Sequence, residues 1–193
     1  ASETIASLAG AAGSAVNVGA NTLTAGGNNS STSYSGVMSG VGGALTKLGT
    51  GNLTLAGANA YSGNTNINAG AVNIQSNTAL GTATGVTSVV SGAALEVQNN
   101  ITVTGEALTL NGTGVTAAPA GALRNVSGTN TLTGAITLAS ASTIQSDAGT
   151  LTLTGGVTGA TFGLTFAGAG NVTQTGVIGT TSGTITKTGT GYV

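Results

Sequence analysis

The sequence predicts an all-β fold, a single parallel β-solenoid of about nine coils. Three observations point to it. Short cores in which apolar and polar residues alternate recur along the 193 residues, and alternation marks a strand with one buried face. Successive cores are spaced at roughly 20 or roughly 13 residues, which suits stacked coils. The 35 glycines, with many asparagines, supply turn residues at every interval and argue against long helices.

The cores in chain order are Leu53-Thr54-Leu55, Val72-Asn73-Ile74, Leu95-Glu96-Val97, Leu108-Thr109-Leu110, Ile136-Thr137-Leu138, Leu151-Thr152-Leu153 and Leu164-Thr165-Phe166. Their Leu, Ile and Val side chains are expected to point inward, with Ala and Gly at the corners. The shorter intervals read as two strands within one coil. Nine coils at about 4.8 Å each give a rod of about 40 Å. Side-chain ladders of Asn, Thr and Ser should link the coils, because charge is scarce.

Only seven residues are charged: Lys47, Arg124, Lys187, Glu3, Glu96, Glu106 and Asp147. The charged fraction of 4% falls far below the roughly 25% of an ordinary domain. A mean hydropathy of +0.35 is the opposite of a disordered signature. With no His and no Cys, imidazole bases, thiol nucleophiles, the usual zinc sites and disulfides are excluded. A net charge of -1 gives no electrostatic footprint for nucleic acid or an anionic membrane. No apolar run approaches the roughly 20 residues of a spanning helix. No cofactor, no nucleic acid and no membrane insertion of this segment are expected. The chain opens on Ala1 and reads as a mature product or an excised piece.

A longer repeat overlies the short one. Gly36-Val37-Met38 and Gly43-Ala44-Leu45-Thr46-Lys47-Leu48-Gly49-Thr50-Gly51 return, at a constant offset of 140, as Gly176-Val177-Ile178 and Gly183-Thr184-Ile185-Thr186-Lys187-Thr188-Gly189-Thr190-Gly191. Thr4-Ile5-Ala6-Ser7 is echoed by Thr143-Ile144-Gln145-Ser146. The chain 1–193 therefore reads as one solenoid segment of about 1.4 copies of a unit of roughly 140 residues, with 1–53 resembling 140–193.

Residues 43–74 resemble the autotransporter-associated β-strand repeat, also called the passenger-associated transport repeat. The matching positions are Leu45-Thr46-Lys47, Gly49-x-Gly51, Leu53-Thr54-Leu55, Gly57, Asn59-x-Tyr61-Ser62-Gly63, Thr65, Ile67, Gly70 and Val72-x-Ile74. Residues 176–191 resemble its opening half, including Lys187, Gly189 and Gly191. The resemblance implies the passenger region of a type V secreted protein of a Gram-negative-like bacterium. Such passengers are right-handed parallel β-helices carried out by a C-terminal outer-membrane barrel, which is expected outside this segment. It also implies an extracellular or cell-surface location. The missing cysteines suit export through an oxidising compartment, and equally suit a Gly/Thr solenoid with no use for them.

The expected function is structural: a stalk, adhesive scaffold or extracellular filament, not an enzyme, with end-to-end stacking of copies or continuation in a longer chain. Lys47 and Lys187 read as solvated or capping lysines that mark the repeat and discourage edge association. Tyr34, Tyr61, Glu96, Glu106 and Arg124 are the candidate surface contacts of an alternative reading, an adhesin for glycans or surfaces. Glu96 and Glu106 are the closest acidic pair, but their separation in sequence gives no reason for them to face each other as paired acids must. Thr-x-Thr pairs raise a second alternative, an ice-binding solenoid. They occur at Thr22/Thr24, Thr82/Thr84, Thr102/Thr104, Thr131/Thr133, Thr152/Thr154, Thr173/Thr175 and Thr184/Thr186. Ice binding requires one pair per coil on one flat face. Intervals of 20, 29 and 21, with a gap of 58 between Thr24 and Thr82, count against it.

Overall fold

Most strands bury every second side chain, Gly70–Ile74 and Ala93–Val97 being buried throughout, and consecutive strands are joined by Gly- and Asn-rich corners, so the chain winds instead of folding back. A computed structural model describes residues 1–116 and 121–193. It shows an all-β chain of about nine stacked coils in which every strand pairing is parallel. Each coil has three sides, one more than the sequence intervals suggested. The short interval from Leu95 to Leu108 runs from one side past the next to the third, so the series of cores mixed faces.

The first face stacks β1 (Glu3–Ile5), β3 (Thr22–Ala25), β6 (Ala44–Lys47), β9 (Thr65–Ile67), β11 (Val86–Val89), β14 (Ala107–Gly112), the start of β17 (Ile136–Ser146), β19 (Val157–Thr158) and β22 (Ile178–Gly179). The second face stacks β4 (Thr32–Tyr34), β7 (Asn52–Leu55), β10 (Gly70–Ile74), β12 (Ala93–Val97), β15 (Leu123–Asn125), the end of β17, β20 (Leu164–Ala167) and β23 (Ile185–Lys187). The third face carries two sheets. One is β2 (Ala15–Asn17), β5 (Val37–Gly40) and β8 (Ala60–Tyr61). The other is β13 (Thr102–Val103), β16 (Thr129–Leu132), β18 (Thr150–Leu153) and β21 (Asn171–Gln174). Between them, residues 76–85 of the fourth coil form turns instead of a strand.

Register turns sequence spacing into columns. On the second face Leu53, Val72, Leu95, Leu123, Ile144 and Phe166 lie one above another, all buried. Such a column buries apolar area coil by coil, so stability accrues from neighbouring coils. Most coils are close to one length, as the first-face steps Leu23–Leu45, Leu45–Thr65 and Thr65–Thr87 illustrate. The step from Leu108 to Ile136 is longer, and its extra residues lie between Gly112 and Leu123.

The two copies of the longer repeat do not share a face. Lys47 ends β6 on the first face, whereas Lys187 ends β23 on the second. Val37-Met38 lies on the third face and Val177-Ile178 reaches the first. Thr4-Ile5 lies on the first and Thr143-Ile144 on the second. All three pairs are displaced by one face in the same sense.

Corners stack as closely as faces do. A Cβ added at Gly57 would run into the Gly36 carbonyl oxygen one coil away, whereas one at Gly27 would meet open space. Gly57→Ala should therefore cost about 2 kcal/mol through forced overpacking, and Gly27→Ala less than about 0.5 kcal/mol. Urea denaturation midpoints of the two variants provide the check.

Candidate functional site

Lys47 does not sit in solvent. It ends β6 pointing inward, 1% exposed, between the small Ala25 of the coil before and Ile67 of the coil after. Its Nζ donates to the carbonyls of Leu48 at 2.7 Å, Gly49 at 2.8 Å and Ala69 at 3.3 Å. An ammonium has three donors, and here three carbonyls take them. Two of these carbonyls belong to its own corner and one to the next coil's corner, so the side chain ties the two corners together. Burial lowers its pKa. The turn it caps requires a left-handed residue, and Gly49 supplies it at φ 69°. Lys187 makes the same local cap, donating to Thr188 at 2.7 Å and Gly189 at 3.0 Å around a Gly189 with φ 75°, but it is exposed. Both lysines cap a corner, Lys187 exposed to solvent and Lys47 buried.

The tyrosines are interior as well. Tyr34 is buried, its hydroxyl donating to the Val37 carbonyl at 3.1 Å. Tyr61 is 0% exposed, and its hydroxyl lies 2.6 Å from Thr65 Oγ1. Burial raises the Tyr61 pKa above its ordinary value. Neither ring offers a platform on the surface. Thr65 and Thr87 are in register on the first face and turned inward, where the rest of that column is largely Leu and Ile. Thr87 Oγ1 donates to Glu106 Oε1 at 2.7 Å. Tyr61, Thr65, Thr87 and Glu106 form a buried polar group within coils three to six.

Glu106 is also the acidic group of a cleft of about 340 Å³, which opens where the third face is interrupted. Asn59, Asn77, Thr82, Thr102 and Thr104 are among its lining residues. Burial pushes the Glu106 carboxyl up to about 7, against the opposing pull of the Thr87 bond. Asn59 lies at its inner margin, its Oδ1 accepting from the Met38 N–H at 2.8 Å and its Nδ2 donating to the Ala79 carbonyl at 2.6 Å. The motif asparagine thus connects coils two, three and four through its side chain.

Glu96 and Arg124 come together, with a partner the sequence did not suggest. They are in register on the outward side of the second face, followed by Gln145. Arg124 bonds Glu96 Oε1 at 2.6 Å through Nη1 and Asp147 Oδ2 at 2.7 Å through Nε. Asn52 and Asn73 donate to Glu96 Oε2 at 3.0 and 3.1 Å, and Gln145 donates to Asp147 Oδ1 at 2.6 Å. Burial pulls the Arg124 pKa down, but the bonds and charges of Asp147 and Glu96 outweigh it and hold the guanidinium above its ordinary value. This polar ladder spans five coils and leaves Glu106 out. The pair united by the fold is Glu96 and Asp147, two coils apart. Register arithmetic at one coil per step would have found it, had the longer sixth coil been located. Among the described residues no three His, Cys, Asp or Glu side chains are grouped to hold a metal ion.

Two measurements test this arrangement. Lys47→Met keeps the bulk but withdraws a donor from three carbonyls, a loss of about 2–3 kcal/mol; Lys187→Met on the exposed cap should cost under about 0.5 kcal/mol. Chemical denaturation of both variants decides the matter. For Glu106, the folded pKa of about 7 exceeds the ordinary 4.5. The native state therefore binds more protons between those values, and stability falls as pH rises from about 5 to 8. Glu106→Gln should match the wild type near pH 5 and exceed it by about 2 kcal/mol at pH 8, measured by urea titration across that range.

Comparison of the chain with curated proteins and with solved structures returned no match. One family model does match, over residues 45–74. That stretch begins inside β6, contains the Lys47 cap, Asn59 and Tyr61, and ends with β10. Residues 45–74 carry a passenger-associated-transport-repeat.

Proposed function

We propose that the chain is a rigid structural segment of an exported bacterial passenger, a stalk or scaffold displayed at the cell surface or released. The observation that carries this reading is the transport repeat lying in register within an unbroken stack of coils. The polar chemistry is spent on coil-to-coil contacts: Lys47 on corner carbonyls, Arg124 on Glu96 and Asp147, and Glu106 on Thr87. Catalysis has no part in it, since the carboxylates that might cooperate are held apart or bonded to Arg124. A glycan-binding version loses its two tyrosine platforms to the interior.

Stacking onto a further coil, in the same chain or in a second copy, belongs to this reading. Ile185 is 56% exposed in the register position that Leu164 fills, buried, one coil earlier.

In the producing bacterium, deletion of residues 129–149 removes one register step outside the repeat, because Thr129 pairs with Thr150. That variant should still reach the exterior. Deletion of 45–64, one step within the repeat because Leu45 pairs with Thr65, should cut external protein at least tenfold. Immunoblots of surface-shaved cells and culture medium read the result. Wild-type protein confined to the cytoplasm, or equal export of both deletions, overturns the proposal.

A further inference from the structure

Four of the seven Thr-x-Thr pairs come into register in three dimensions, while Thr22/Thr24, Thr82/Thr84 and Thr184/Thr186 lie elsewhere. Thr102, Thr131, Thr152 and Thr173 are direct register partners on four consecutive coils of the third face. The wider interval between the first two matches the extra length of the sixth coil, which falls in the sequence between Gly112 and Leu123 and not within these strands. The ladder continues past the paired residues, with the Thr133 N–H donating to Val103, Thr154 to Leu132 and Thr175 to Leu153. Thr104, Thr133, Thr154 and Thr175 therefore make a second column beside the first. The alternate residues Val103, Leu132 and Leu153 are buried, so both threonine columns face outward.

The result is a two-dimensional grid. Its rows repeat at about 4.8 Å between coils, and its columns stand about 7 Å apart along each strand. The hydroxyls of the first column make no hydrogen bond within the described residues, which leaves them to solvent. In the second column Thr133 accepts from the Gly105 N–H, so its rotamer is fixed. The strands beneath are in register without a bulge. No charged residue lies on them: Glu96, Arg124 and Asp147 all belong to the second face or its corner.

We propose that this face binds ice. A grid of methyl and hydroxyl groups on a stiff sheet can hold water in a lattice of its own spacing, and these two repeats are close to oxygen repeats on ice planes. Other periodic solids fit less well. Crystalline polysaccharide calls for a row of exposed aromatic platforms, and the grid strands carry none; exposed Tyr192 stands singly one coil beyond β21. A mineral lattice calls for an array of exposed charge, whereas the carboxylate that borders this face beside Thr104, Glu106, is single and buried. The first face lacks the second column: outward of its Thr24, Thr46, Asn66, Ser88 and Thr109 stand Ala44, Val86 and Ala107.

The test is ice recrystallisation inhibition and partition of the whole purified chain into slowly growing ice. The wild type should slow grain growth several-fold and enrich in the ice fraction. Thr152→Lys and Thr131→Tyr, at the centre of the grid, should each lose at least tenfold in effective concentration. Thr109→Lys on the first face should act like the wild type. Thermal denaturation of every variant establishes that it is folded, and a central variant that unfolds is replaced by Thr154→Lys. A folded wild type with no effect on ice, or equal loss from Thr109→Lys and Thr152→Lys, overturns the proposal. Either result leaves the exported-scaffold reading untouched, because export and ice affinity are read separately.

Discussion

Everything in this molecule depends on parallel strands stacking in register at a single coil spacing. A coil cannot be displaced along the strand by one residue without turning its buried column outward. Nor can a tightly stacked corner swell by one carbon, because the corner beside it is already in contact, as at Gly57 over Gly36. Some glycines follow from that contact, as at Gly57, and others from the left-handed turn they supply, as at Gly13 with φ 90° and open space around it. The sixth coil takes its extra length between β14 and β15, and the β14–β17 register shifts there, Leu110 pairing with Leu138 but Gly112 with Ser142.

Register also decides how a charge-poor chain treats its few polar interiors. A buried hydrogen-bonding group needs a partner, and in a solenoid many such partners lie one coil up or down. Lys47 reaches the corner carbonyl of the next coil, Asn59 substitutes its own amide for a missing ladder bond, and Asn125 reaches Ser146 and Ala148 one coil on. Asn130 closes the same corner by donating to Asn125 and accepting from the Ile101 N–H. Such contacts add directional bonds to an interior held mainly by apolar burial. They make coils non-equivalent, which apolar columns alone would not. The groups least relieved are Asn52 Oδ1 and Gln174 Oε1, buried without a partner among the described residues, while Glu106 keeps one bond, from Thr87.

The solenoid was legible in the sequence because alternation and turn chemistry are local, and both repeat at short range. The transport repeat at 45–74 was legible because Lys47, Gly49, Asn59 and Tyr61 stand in a fixed order. The number of sides was not, since apolar triplets look alike on every face and two intervals of different meaning were read as one series. Positions that depend on contact across coils were also hidden. A lysine in a near-chargeless chain looks like a surface residue until the Ala69 carbonyl is placed beside it. Glu96 and Asp147 look remote until Arg124 lies between them. The threonine pairs looked scattered for two reasons: the extra residues of the sixth coil widen one interval, and Thr22/Thr24, Thr82/Thr84 and Thr184/Thr186 lie off the third-face strands.

The same extra residues enter into the displacement of the longer repeat. Six register steps carry Leu45 in the third coil to the level of Ile178 in the ninth, both on the first face. One further side of that ninth coil reaches Lys187 on the second face. The path from Lys47 to Lys187 is therefore six coils and one side, and the long sixth coil lies on it. A motif can move from face to face only if its chemistry is local to a corner. The lysine cap satisfies this: its bonds to the carbonyls one and two residues on are the same at Lys47 and Lys187, whichever face precedes the turn. The threonine grid does not, because it requires neighbours on the same face in four consecutive coils. Corner chemistry and face chemistry are therefore free to vary independently along such a chain. Sequence repetition marks the corners, and any recognition surface has to be read from the register of the faces.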